Sequence, residues 1–90
     1  MATSFVRHHV RDYDAWRKVY DAFGDAQNAG GVTDQAVYCL SGDRNDVLVM
    51  HRFGSADEAT AFFASAELRS AMAEAGVEGE PRIEIFDDMN

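Results

Sequence analysis

Three side chains are typed for chemistry: His8, His9 and His51. Histidine has an ordinary pKa near neutrality, so a well-placed imidazole can move a proton, orient a polar ligand or bind a metal. His8 and His9 fall in Ser4–Val10, whose alternation reads as a strand with Val6, His8 and Val10 on one face and Phe5, Arg7 and His9 on the other. His51 falls in a second such run, Asp46–Phe53, on the same face as Val49 and Phe53. The shared parity of His8 and His51 with apolar neighbours sends both inward. There they are either hydrogen-bonded core residues or the polar groups of one pocket. His9 belongs to the opposite face beside Arg7, as an interface residue.

The elements that must position them follow from caps and periodicity. Asp12 is an N-cap signal, Asp14 adds first-turn charge, and Trp16, Val19, Tyr20 and Phe23 form one apolar helical stripe that Gly30-Gly31 stops. A strand over Thr33–Leu40, turn formers at 41–45 and the strand over Asp46–Phe53 make a hairpin. Ser55 with Glu58 has the spacing of a capping box and opens a helix carrying Ala59, Phe62 and Phe63. Ser65 restarts a helical segment with Leu68, Ala71, Met72 and Ala75 on its apolar face, and Gly76 and Gly79 end it. From Pro81 a last strand alternates Ile83 and Ile85 with Arg82, Glu84 and Phe86. The order β-α-β-β-α-β with right-handed crossovers predicts an α+β, ferredoxin-like domain over residues 1–90: a four-stranded antiparallel sheet with helices on one face. The bare face would carry Phe5, Leu48, Met50 and Phe86, too apolar for water on a monomer, so two subunits are expected to pack there.

Composition narrows the partners. Eight basic against sixteen acidic residues leave a net charge of −8, a field that repels nucleic acid and anionic membranes. No run approaches the roughly 18 apolar residues of a membrane span and no basic, then apolar, leader is present, so the chain reads as soluble and cytoplasmic. The single cysteine, Cys39, excludes an internal disulfide and a zinc motif, and reads as a small buried apolar residue or, less simply, a catalytic thiol. Two histidines could be half a metal site, but no Asp or Glu on those strands supplies a third ligand, so no metal is expected. Asp43, Asn45 and Asp46 lack the spacing of a calcium loop, Gly30-Gly31 follows a helix rather than a strand as a phosphate loop would, and Asp87-Asp88 reads as a solvated end.

Around the inward histidines, Trp16 and Tyr20 lie one helical turn apart and serve as core or as an aromatic wall for a planar ligand. Tyr38 is a natural acid or hydrogen-bond donor if its strand turns it inward. Arg7 and Arg52 share the outer face, where Glu84 or an acid of a partner subunit could pair with them.

The segment Val6-Arg7-His8-His9-Val10-Arg11-Asp12-Tyr13-Asp14-Ala15-Trp16 resembles the opening of small proteins of the dimeric α/β-barrel superfamily, which includes antibiotic-biosynthesis-type monooxygenases, haem-degrading monooxygenases and small polyketide cyclases. Val47-Leu48-Val49-Met50-His51-Arg52-Phe53 and the helix from Ser55 resemble its third strand and second helix, while Ser65-Ala66-Glu67-Leu68 and Ala75-Gly76-Val77 resemble a stand-alone branch. The resemblance implies a pocket between helices and sheet, and a barrel closed by a second subunit. It also implies cofactor-independent oxygenation or cyclisation of an aromatic or polyketide-like molecule. Proton abstraction would fall to His8 or His51, with Trp16, Tyr20 and Phe53 as walls. The first-strand asparagine of the haem-degrading members has no counterpart, Val6 standing in its place. The alternative is a non-catalytic binding or structural dimer, with both histidines as satisfied core residues and the helix–sheet interface filled.

Overall fold

The computed structural model describes residues 1–89 and has the ferredoxin-like α+β arrangement. Eight elements follow in order: β1 (Ala2–Val10), α1 (Tyr13–Ala22), α2 (Gly24–Ala29), β2 (Val32–Leu40), β3 (Asp43–Phe53), α3 (Ala56–Phe63), α4 (Ala66–Glu74) and β4 (Val77–Asp87). The four strands form one sheet in the order β2-β3-β1-β4, with every neighbouring pair antiparallel. All four helices cover one face. Alternation decides which side chains they cover: Val6, His8 and Val10 of β1, and Val47, Val49, His51 and Phe53 of β3, are buried. Among the described residues, no helix is long and apolar enough to cross a membrane.

The helices begin where side-chain oxygens can satisfy free backbone N–H groups. Asp12 accepts from the Ala15 amide at 3.1 Å, Ser55 from Glu58 at 3.2 Å, and Ser65 from Leu68 at 3.1 Å. Asn45 Oδ1 also accepts from the Tyr13 amide at 2.9 Å, fastening the β2–β3 hairpin to the start of α1.

Expected boundaries move at three main places. The first helix is two: the backbone departs from helical geometry at Phe23, beside Gly24, a residue that disfavours helix because of its backbone freedom. β3 begins at Asp43 instead of Asp46, since the hairpin closes over two residues, Ser41 and Gly42, with Gly42 at φ +92°. β4 begins at Val77, opposite Val10. The chain then bulges, so that Gly79, Glu80 and Pro81 stand opposite His8 alone before Arg82 pairs with Arg7. The tail is also fastened. Asp88 holds Arg52 at 2.6 Å and accepts from Thr3 at 2.9 Å, so it is a structural partner and not a solvated end.

Other outer-face pairings are internal to the chain. Arg7 binds Asp46 at 2.8 Å in place of Glu84, which instead pairs with Arg82 at 3.1 Å. His9 lies 2.9 Å from Glu78. Cys39 is exposed, since it sits on edge strand β2 and lacks the helix cover that burial would need.

Candidate functional site

The site is the space between the sheet and the helices, lined by His8 from β1, Val49 and His51 from β3, Trp16, Val19 and Tyr20 from α1, Gln27 from α2, Phe62 and Phe63 from α3, and Leu68, Ala71 and Met72 from α4. Its walls are almost wholly apolar. His8 and His51 are only 6% and 5% exposed. Removing an imidazolium from water disfavours the charged form, and burial pushes both pKa values down from 6.5 to about 4. The nearby Asp46 carboxylate opposes this at His8 to a smaller extent. Both rings are therefore neutral at pH 7.

The register decides whether the histidines can act together. His8 stands opposite Val47 and His51 opposite Ser4. Four residues of β3 at about 3.4 Å each therefore separate them by roughly 14 Å along the sheet. They mark the two ends of the site. An aromatic series spans the gap: His8 to Trp16 at 5.7 Å between ring centroids, Trp16 stacked on Tyr20 at 4.9 Å, and Tyr20 to His51 at 6.3 Å. At that separation they cannot share one metal ion, and no cluster of three metal-ligating side chains occurs among the described residues.

Hydrogen bonding is sparse. Among the described residues, neither ring nitrogen of His8 has a partner, nor does Nδ1 of His51. His51 Nε2 faces the amide nitrogen of Gln27 at 3.4 Å. The Tyr20 hydroxyl donates to Gln35 Oε1 at 2.5 Å, and burial raises its pKa. A buried polar atom without a partner costs about 1–3 kcal/mol. Three such nitrogens have no partner among the described residues, so a ligand or solvent in the site would have to supply one.

Four of the six residues singled out from sequence, His8, His51, Trp16 and Tyr20, line this one site. The other two do not. Phe53 is fully buried behind it, packed at 6.3 Å on His51 and 5.6 Å on Phe62, so it supports the wall without forming it. Tyr38 is 54% exposed: β2 pairs Val37 with Val49 and Tyr38 with Leu48, which turns Tyr38 to the open face of the sheet. Gln27 is the residue that sequence reasoning missed. It is buried, and its position four after Phe23 continues the stripe of Trp16 and Tyr20; a polar residue on that stripe was the available signal.

The free internal volume is small, about 50 Å³. That holds a few waters and falls short of the roughly 300 Å³ of a drug-sized site. The helices also pack closely beside the site: at Gly30 a Cβ would lie 2.5 Å from a ring carbon of Phe62. Gly31 beside it adopts φ +95°, the left-handed conformation that ends α2.

No family model matches the sequence, and no curated protein matches it. Solved structures do. SnoaB, a cofactor-independent oxygenase from Streptomyces nogalater, superposes with a TM-score of 0.80 at 11% identity, covering 99% of this chain and 93% of its own. A protein of Bordetella bronchiseptica, provisionally assigned as an antibiotic biosynthesis monooxygenase, gives 0.83 at 8% identity over 99% and 97% of the two chains. One from Caulobacter crescentus with the same provisional assignment gives 0.79 at 16% identity over 99% and 90%. The chain thus has the ferredoxin-like fold of the antibiotic-biosynthesis-monooxygenase-like structures, as the resemblance of its strand and helix segments implied.

Proposed function

We propose that this protein is a small homodimeric pocket protein that acts without a cofactor on an aromatic or polyketide-like small molecule, in an oxygenation or cyclisation that begins with removal of a proton. One observation carries the reading: three unpartnered ring nitrogens on two neutral, buried histidines in an otherwise apolar site. Structural histidines would be expected to find partners in the fold; these await one from a ligand. A ligand flat enough to lie along Trp16 and Tyr20 would meet His8 at one end and His51 at the other. His8 is the better placed to take a proton, because Asp46 favours its charged form. The likeness in fold to a cofactor-independent oxygenase supports the reaction class.

The homodimer is part of the same proposal. Phe5 and Phe86 meet edge-to-face at 5.8 Å on the uncovered face of the sheet, beside Leu48 and Met50, and Phe86 is half exposed. An apolar patch of this kind, bordered by the Arg7–Asp46 and Arg82–Glu84 pairs, is stable when a second copy covers it.

A second reading has its own support. The 50 Å³ volume is what a filled helix–sheet interface would leave, and it favours a non-catalytic binding or structural dimer. The deciding experiment is an NMR titration of the three histidines with a panel of planar phenols, followed by oxygen-uptake assays on any that bind. Ligand-induced shifts at His8 and His51, with turnover lost in a folded His8→Gln protein, are the expected result. Histidines insensitive to every phenol would leave the structural reading in possession.

A further inference from the structure

The two histidines are not equivalent, and Gln27 is the reason. A neutral imidazole has one nitrogen that donates and one that accepts. The atom facing His51 Nε2 is the amide nitrogen of Gln27, at 3.4 Å and buried, and that group can only donate. The donor side of the amide therefore faces His51.

We propose that Gln27 is a positioning residue that locks His51 as the Nδ1–H tautomer, which makes His51 the hydrogen-bond donor of the site and leaves His8 as the imidazole of the site with a free lone pair to serve as base. His51 accepts at Nε2 from Gln27, so its proton resides on Nδ1, an atom without a partner in the fold. His8 has no partner at either nitrogen and keeps both functions open. The complementary ligand has an acidic O–H or C–H at the His8 end and a carbonyl or phenolic oxygen at the His51 end. The ligand roles rest on the reading of the pocket given above; the tautomer lock does not.

Long-range proton–nitrogen correlation spectra of protein labelled with ¹⁵N-histidine, at pH 7, report which ring nitrogen carries hydrogen. The expected result is Nδ1–H for His51 in the unaltered protein. In Gln27→Leu it should revert to Nε2–H, the form that an imidazole side chain prefers in water. In Gln27→Glu the carboxylate accepts from Nε2–H, which enforces that tautomer and moves the His51 titration upward. Nε2–H in the unaltered protein, or Nδ1–H persisting in Gln27→Leu, overturns the lock. Should Gln27→Leu fail to fold, the unaltered protein and Gln27→Glu decide alone. Adding 1,8-dihydroxyanthraquinone separates the two layers. Shifts at His51 Nδ1 and at His8 support the ligand roles, whereas a correct tautomer with no response to the probe overturns them and leaves the lock standing.

Discussion

Acidification from pH 7 towards pH 4 should destabilise this protein steeply, through His8 and His51. Each has a folded pKa of about 4 against 6.5 in the unfolded chain, the lowering being due to burial. Between those values the unfolded state binds protons that the native state refuses, so stability is complete above about pH 6.5 and falls as the pH drops. The loss per histidine reaches about 2 kcal/mol at pH 5 and approaches about 3 kcal/mol below pH 4. For the pair the slope peaks at about 2.4 kcal/mol per pH unit, roughly 1.8 protons. Against the ~5–13 kcal/mol expected of 90 residues, that is enough to unfold a marginal domain. Asp46 and Asp88 carry carboxylates held below their usual range by Arg7 and Arg52, so their contribution is lost only at lower pH. Urea unfolding at fixed protein concentration, repeated between pH 7.5 and 4.5, measures the slope. His8→Gln or His51→Gln should halve it. Stability independent of pH from 7 to 5, or NMR midpoints near 6.5 for both rings, would refute the reasoning.

Three further outcomes are expected. Trp16→Ala, which removes a buried side chain packed on His8 and Tyr20, should cost about 3–5 kcal/mol in urea unfolding and abolish binding of planar phenols. Gly30→Ala drives a methyl into the Phe62 ring and should cost about 1–3 kcal/mol; a neutral effect would mean that α2 and α3 can separate freely. Phe86→Asp places a charge at a half-exposed site on the proposed dimer face, and light scattering should report a folded monomer where the unaltered chain is a dimer. An unaltered chain that is already monomeric at micromolar concentration would dismiss that interface.

Period-two alternation is a local property of the backbone, and it determined which side of the sheet His8, His51 and their valine neighbours occupy before any partner strand was known. The helical stripe of Trp16 and Tyr20 and the caps at Asp12, Ser55 and Ser65 were equally local, because each depends on residues within one or two turns. What lay beyond the sequence depends on pairing between distant segments. Register, a relation between strands, set the histidines at opposite ends of the site and turned Tyr38 outward. The break at Phe23 and the docking of α2 brought Gln27 to His51, and only the fold of β4 brought Asp88 to Arg52. The volume of the site is the last of these quantities. It is the small remainder left when close-packed layers meet, and no single segment contains it.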